Sequence, residues 1–392
     1  MTSFTVSCAC GERFHADEGS IGRRARCRCG RTVELQPPPN IVLPAAKRTS
    51  HRSARRTSGR AVRVLRFLAW CYLAAIVAVA AVMWGLGDRW WPATVLLFMG
   101  RWVFLLPLIL LVPASLALRR RLLLPLSLGA VVALGPVMGG RVGWARPFAP
   151  SGGMPLRVVT FNADGGSFLA SNLPRLLQEW GADVVLFQEC GEQLAAATER
   201  VPAWHWHHVS DLCMLTPLPI LAADVMDRSS LANVRRDEGP TIGGAGYVAR
   251  YTLGTPNGPI HVTNLHLETP RKGFEGFMAG DVQVLRLNTT LRDLESELAR
   301  RWVDGGHAPT IVAGDFNTPV ESRIFEEHWG DLADAFSRVG FGLGTTKYNG
   351  WIRIRIDHVL TDDAWRPRAV QVWTDLGSDH RPLVADLVLV KH

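Results

Sequence analysis

The chain has 392 residues and a formal net charge of +8, too long for one small core and, at 47% hydrophobic residues, too apolar for a solvated polyelectrolyte. The charge is divided: residues 1–154 hold 21 Lys/Arg against 5 Asp/Glu, and residues 155–392 hold 22 against 30. The basic excess lies in the first part, so the high overall charge is weak support for a nucleic-acid partner of the second.

The first element is a double cysteine pair, Cys8-Ala9-Cys10-Gly11 and Cys27-Arg28-Cys29-Gly30. Two turn-borne pairs resemble a zinc ribbon over residues 1–35, whose four thiolates would hold one structural Zn²⁺. One residue separates the cysteines of each pair, where the usual ribbon has two. Gly11 and Gly30 suit tight turns, and Phe14 and Val33 are the expected small core. The alternative is a reduced, unfolded tail. Residues 36–66 read as a basic Pro/Ser/Arg linker that cannot bury enough apolar surface to fold. The remaining cysteines do not form the framework of a small secreted domain, although Cys190 and Cys213 could pair in an oxidising compartment.

Three apolar stretches then fill residues 67–140, expected as membrane-spanning helices over about 67–87, 93–118 and 122–140. Tryptophans at 84, 90, 91, 102 and 144 fall near their ends, as interfacial aromatics do. The basic run before Phe67 and the triplet Arg119-Arg120-Arg121 are expected to stay cytoplasmic. Three crossings make this a multi-pass protein of the cell membrane with a cytoplasmic N-terminus and an extracytoplasmic C-terminal domain. Two would return that domain to the cytoplasm.

From Leu156 the pattern changes to short apolar runs at 156–161, 184–187, 260–265, 310–313, 356–360 and 383–390, read as strands. Leu287, Leu291, Leu294, Leu298 and Trp302 recur at helical spacing, and a shorter helix runs from Ser171 to Gly181. Strands interleaved with helices over residues 156–392 predict one large α/β domain. Trp204–His208 reads as a surface loop, and Gly243–Gly246 as a turn before a strand at 247–253.

Polar residues cluster at the strand ends: Asn162 and Asp164, Gln188 and Glu189, Asn264 and His266, Asp315 and Asn317, Asp357 and His358, Asp379 and His380. Strands that deliver carboxylates, carboxamides and imidazoles to one edge build a site on rigid elements. Oxygen-rich ligands select a hard cation, Mg²⁺ or Mn²⁺.

The ordered set TFNADG, LFQE, TNLHLE, AGDFNTP, RIDHVL and SDHRPLVADL resembles the endonuclease/exonuclease/phosphatase superfamily across residues 156–390. The resemblance implies a four-layer α/β sandwich, two packed mixed sheets flanked by helices. It implies Glu189 as principal metal ligand, with Asn162 and Asp379 completing or bordering the metal shell and Asp164 serving a further cation. Asp315 is implied to orient or deprotonate the attacking water, and Asn317 to hold a phosphate oxygen. His380, fixed by Asp357, and His266 are implied as phosphate contacts, with looser matches at Arg271, Arg353 and Arg355.

The expected function is metal-dependent hydrolysis of a phosphodiester, with nucleic acid and phospholipid head groups both open as substrates. The expected partners are the lipid bilayer and the phosphoester; nothing in the sequence points to a protein partner. The reading from another class is a catalytically silent membrane sensor of a phosphorylated ligand. A third makes the ribbon and its basic linker a nucleic-acid module at the inner membrane face.

Overall fold

Alternation along the strands decides the architecture of the C-terminal part. Val158 turns one way and meets Leu186, Val262 and Ile311; Val159 and Phe161 turn the other way and meet Phe187 and Trp180. A side-chain period of two on strands buried on both faces calls for a covering layer on each side.

The computed structural model describes residues 3–36, 50–149, 152–229, 231 and 247–390. It divides into two compact units, 1–61 and 62–392, described separately below. Residues 37–49 of the expected linker and the Gly243–Gly246 turn lie outside the described residues.

In the larger unit, two six-stranded mixed sheets pack face to face. The first runs Trp365–Val372, Leu383–Leu389, Met154–Asn162, Val184–Gln188, Leu212–Thr216, His205–Val209. The second runs Ile220–Val225, Tyr247–Thr255, Gly258–His266, Thr310–Asp315, Asp357–Thr361, Ala333–Asp334. Each contains one parallel pair, 154–162 with 184–188 and 258–266 with 310–315. The helix Leu173–Trp180 covers the outside of the first sheet, and Gly181 closes it in the left-handed conformation at φ 56°. The helix Val282–Asp304 covers the second through Leu291, Ala299 and Val303. Helix, sheet, sheet, helix is the expected four-layer sandwich. Residues 204–208, expected as a loop, instead contribute the edge strand His205–Val209, whose branched and aromatic residues suit a pleated surface.

Just beneath the strand ends, polar side chains cross from sheet to sheet. Gln188 donates to Asn264 Oδ1 at 2.7 Å and to Thr160 Oγ1 at 3.0 Å. Asn264 donates to the carbonyls of Phe187 and Cys213 at 3.0 and 3.2 Å. All three are fully buried, so the network locks the sheets in one register.

Among the described residues, three helical segments are long and apolar enough to cross a membrane: Gly59–Gly85, Arg101–Leu118 and Arg120–Val137. The first belongs to a helix that begins at Ser50, so the described end of the expected linker is helical. The second does not reach back to Ala93. The helix Trp91–Phe98 is separate, and the chain turns extended at Met99. A side chain at Gly100 would lie 2.9 Å from the Trp351 carbonyl, which explains the glycine at this break. Arg101, buried, folds back on the Leu97 carbonyl at 3.0 Å and pairs with Glu321 at 2.9 Å. A second buried pair joins Asp88 to Arg292 at 3.2 Å. Phe98 packs edge-on to Phe274, Trp91 on Phe277 and Trp102 on Trp351. The apolar helices and the sandwich are thus knitted by charge as well as by rings.

The small unit consists of two short hairpins, Ser3–Ser7 with Arg13–Asp17 and Arg24–Arg26 with Thr32–Glu34. Phe4, Ala16 and Leu35 form its core with Phe14 against them; Leu35 takes the place expected of Val33.

Candidate active site

Strand register alone lines up three of the expected residues. His266 stands beside Asp315 in the parallel pair, and Asp315 beside Asp357 in the antiparallel one. Neighbouring strands are about 4.8 Å apart, so an imidazole and two carboxylates share one sheet end. Asn162 and Gln188 are paired at the same end of the other sheet, and Glu189 follows. Gly314 makes the close approach feasible: at φ 149° an added Cβ would lie 1.9 Å from the Leu265 carbonyl oxygen.

The side chains converge. Asn162 Nδ2 donates to Glu189 Oε1 at 2.9 Å and to Asp315 Oδ2 at 3.1 Å, so the two sheets meet at one carboxamide. His266 Nε2 stands 3.8 Å from both of those carboxylates. His380 Nε2 approaches Asp315 Oδ2 at 3.6 Å, and its Nδ1 lies 2.9 Å from Asp357 Oδ2. Asp315, Asp357 and His380 are grouped closely enough for their ligand atoms to share an ion. Asp164, Glu189 and Asn317 hold left-handed backbone conformations at φ 48°, 49° and 50°. Such strain in non-glycine residues persists where surrounding structure over-determines it.

Both imidazoles sit against carboxylates. Burial disfavours the His266 cation, but its hydrogen bond to Asp211 and the charges of Asp315, Asp211 and Glu189 outweigh this and push it up to about 9. For His380, burial likewise opposes charge, and Asp357 and Asp315 raise it above the usual histidine value. Burial and the neighbouring Asp357 raise the Asp315 carboxyl, against the lowering influence of His380 and His266. Asp315 thus lies between two imidazoles whose charged forms its carboxylate favours.

The structure brings together Asn162, Glu189, His266, Asp315, Asp357 and His380. Asn317 lies alongside: its N–H donates to Asp315 Oδ1 at 2.8 Å and its carboxamide to the Leu267 carbonyl at 2.9 Å. Asp379 borders the group, its carboxylate 2.5 Å from Lys347 Nζ and 3.9 Å from His380 Nε2. Asp164 has an exposed side chain and contributes its N–H to Asn162 Oδ1 at 3.2 Å. Asn264 belongs to the inter-sheet network. Arg355 is not available to a phosphate, because it is buried against Asp334 at 2.7 Å and Ser337 at 3.2 Å. Arg353 lies over the Tyr348 ring.

Sequence reasoning missed Asp211, 2.7 Å from His266 Nδ1, and Lys347 beside Asp379. It also missed Ser378, which donates to the Asn162 carbonyl at 2.9 Å and accepts from the His380 N–H at 3.0 Å. Asp211 is separated from His266 by 55 positions and stands in a two-residue turn; no local pattern marks it. The Cys190–Cys213 disulfide is formed, and the Cys190 N–H donates to the Asp211 carbonyl at 2.8 Å. The bond ties the residue after Glu189 to the strand that follows Asp211.

In the small unit, Cys8, Cys10, Cys27 and Cys29 bring their sulfurs within 4.8 Å of one another. Gly11 and Gly30, at φ 90° and 86°, close two matching turns whose N–H groups donate to Cys8 and Cys27. A tetrahedral zinc with Zn–S near 2.3 Å places its sulfurs about 3.8 Å apart. Cys8 and Cys29 meet that spacing at 3.8 Å; Cys10 and Cys27 are closer, at 3.2 Å, and Cys27 Sγ also donates to Glu12 Oε2 at 2.7 Å.

The signature of the Endonuclease/Exonuclease/phosphatase family matches residues 159–380. No curated protein matches the chain. Similar solved structures include a humanized TDP2 of D. rerio at 16% identity, covering 59% of this chain and 98% of that one with a TM-score of 0.46. A mannosyl-6-phosphatase of Bacteroides thetaiotaomicron VPI-5482 is also 16% identical, covering 60% of this chain and 100% of that one with a TM-score of 0.46. The 3' phosphatase NExo from Neisseria, bound to a product DNA hairpin, is 17% identical over 59% of this chain and 98% of that one, with a TM-score of 0.43. The family signature spans more than half of the chain and contains every residue gathered at the strand ends: the chain belongs to the endonuclease/exonuclease/phosphatase family.

Proposed function

We propose that the chain is a membrane-anchored, divalent-metal-dependent phosphoester hydrolase that acts best on diesters. The observation that carries this reading is Asp315, set within 4 Å of two carboxylate-backed imidazoles and hydrogen-bonded to the amide that also holds Glu189. Glu189 and Asn162 offer hard oxygen donors suited to Mg²⁺ or Mn²⁺, with Asp379 at the border. Such an ion would neutralise charge on the phosphate and acidify bound water. The attacking water gives its proton to Asp315 while its oxygen bonds to phosphorus. The ester P–O bond breaks, and the departing oxygen takes a proton from His380. His266 and Asn317 hold the non-bridging oxygens, where charge builds in the transition state.

We further place residues 1–58 and the Arg119-Arg120-Arg121 turn in the cytoplasm and the sandwich outside. The disulfide in the sandwich supports this, since such bonds persist in oxidising compartments. So does the run of 18 residues, about 27 Å of helix, from Arg101 beside the sandwich to the arginine triplet. In this reading the four-cysteine cluster holds a structural Zn²⁺ on the cytoplasmic side.

The test is full-length protein in detergent with bis-p-nitrophenyl phosphate, with and without Mg²⁺. Wild type turns over only with the ion, and Glu189→Ala and His380→Ala lose about 10²-fold or more. Equal turnover by all three removes the assignment.

A further inference from the structure

Asn162, His266 and Asp315 occupy the C-terminal ends of their strands, Glu189 follows one such end, and Asp357 opens an antiparallel strand at the same place. The whole site therefore lies at one end of the sandwich, and the apolar helices are attached at that end too. Two elements serve both. The helix Arg271–Met278 begins five positions after His266 and packs Phe274 on Phe98 and Phe277 on Trp91. The hairpin Lys347–Asn349 with Ile352–Ile354 sets Lys347 against Asp379 and seats Trp351 on Trp102, at the start of the second apolar segment.

The tips of these two elements remain apolar and uncovered, Met278 being 84% and Trp351 77% exposed. Cations stand beside them: Arg271 and Lys272 on the helix, Lys272 paired with Glu275 at 3.3 Å, and Arg353 on the hairpin are exposed, in a sandwich whose own balance is acidic. Exposed tryptophan and methionine next to Lys and Arg, continuous with membrane-length helices, match the layer where acyl chains give way to anionic head groups. With these two elements in that layer as rims of the site, a long nucleic acid would have to reach the strand ends past the bilayer surface.

We propose that both rims rest in the head-group layer and that the substrate is a phosphoester carried by an amphiphile anchored in the same membrane. The inference rests on the hydrolase reading; the water attack is the one described above, and what is new is where the phosphate comes from. Full-length protein is reconstituted with Mg²⁺ into vesicles of phosphatidylethanolamine and phosphatidylglycerol, and water-soluble phosphorus is followed by ³¹P NMR. The comparison substrates are the deacylated, water-soluble diesters of the same lipids, a single-stranded oligonucleotide and bis-p-nitrophenyl phosphate. Confinement to the bilayer surface predicts turnover of intact lipid about tenfold above that of the deacylated diesters at equal total phosphate. Trp351→Asp and Met278→Asp each lower the ratio of lipid to bis-p-nitrophenyl phosphate turnover about fivefold. Equal turnover of intact and deacylated lipid, faster cleavage of the oligonucleotide, or an unchanged ratio in both variants overturns the proposal while leaving the hydrolase standing. Absence of bis-p-nitrophenyl phosphate turnover by wild type removes both.

Discussion

His266 and His380 are matched in design: each turns Nδ1 to a carboxylate and leaves Nε2 facing Asp315. Asp211 supplies the largest upward influence on His266, which is held at about 9. An Asp211→Asn variant should let His266 fall towards its ordinary value near 6.5. Its kcat/KM on bis-p-nitrophenyl phosphate is expected to drop about tenfold at pH 8 and to begin its alkaline decline at lower pH than wild type. Superimposable pH profiles would remove the role of Asp211. Asn162, Glu189, Asp315 and His380 stand in short strings whose apolar half forms the strand and whose polar half forms the site, so sequence shows both at once. Asp211 and Lys347 act across long separations, and only the folded sheet edge brings them in.

At the level of elements, the loop after Asp315 is gripped from the apolar segment. Arg292 donates to the Asn317 carbonyl at 3.3 Å and to Thr318 Oγ1 at 3.1 Å while pairing with Asp88, to which Ser322 also donates. Asp88 and Arg292 side chains are each 1% exposed, and breaking such a pair costs about 3–5 kcal/mol. Asp88→Asn should lower the thermal midpoint in detergent and reduce kcat more than it changes KM, with Asp88→Glu recovering part of both. Asp334 ties stability to pH. Burial raises its carboxyl, but Arg355, His358 and Ser337 outweigh this and hold it well below the usual carboxylate range. Its contribution is therefore present above the unfolded value near pH 4 and lost as pH falls through the folded one. Asp334→Asn is expected to be less stable at pH 7 and to lose less of its stability than wild type between pH 5 and acid. A sequence scan found the three apolar stretches from length and composition, yet it could not see the break at Gly100, which answers to the Trp351 carbonyl 251 positions away. Nor could it foresee that a charge in a turn between apolar segments would meet a partner in the sandwich.

The whole molecule combines a cysteine cage, apolar segments of membrane length and a sandwich closed by a disulfide. If zinc organises the cage, a chelator should abolish the two hairpins of residues 3–36 as read by amide exchange, without shifting the thermal midpoint of the sandwich. A disulfide typically contributes about 2–4 kcal/mol, so Cys190→Ser with Cys213→Ser should melt lower than wild type and respond no further to dithiothreitol. Cys190 directly follows Glu189, and this adjacency has a consequence for the order of biogenesis. A newly made chain in a reducing cytosol carries the Glu189 turn without its covalent brace. Closure waits for an oxidant, which in the proposed topology is met only after translocation. A nascent hydrolase of this build would thus be least well formed where the cell's own phosphoesters are most abundant, and would mature after leaving them behind.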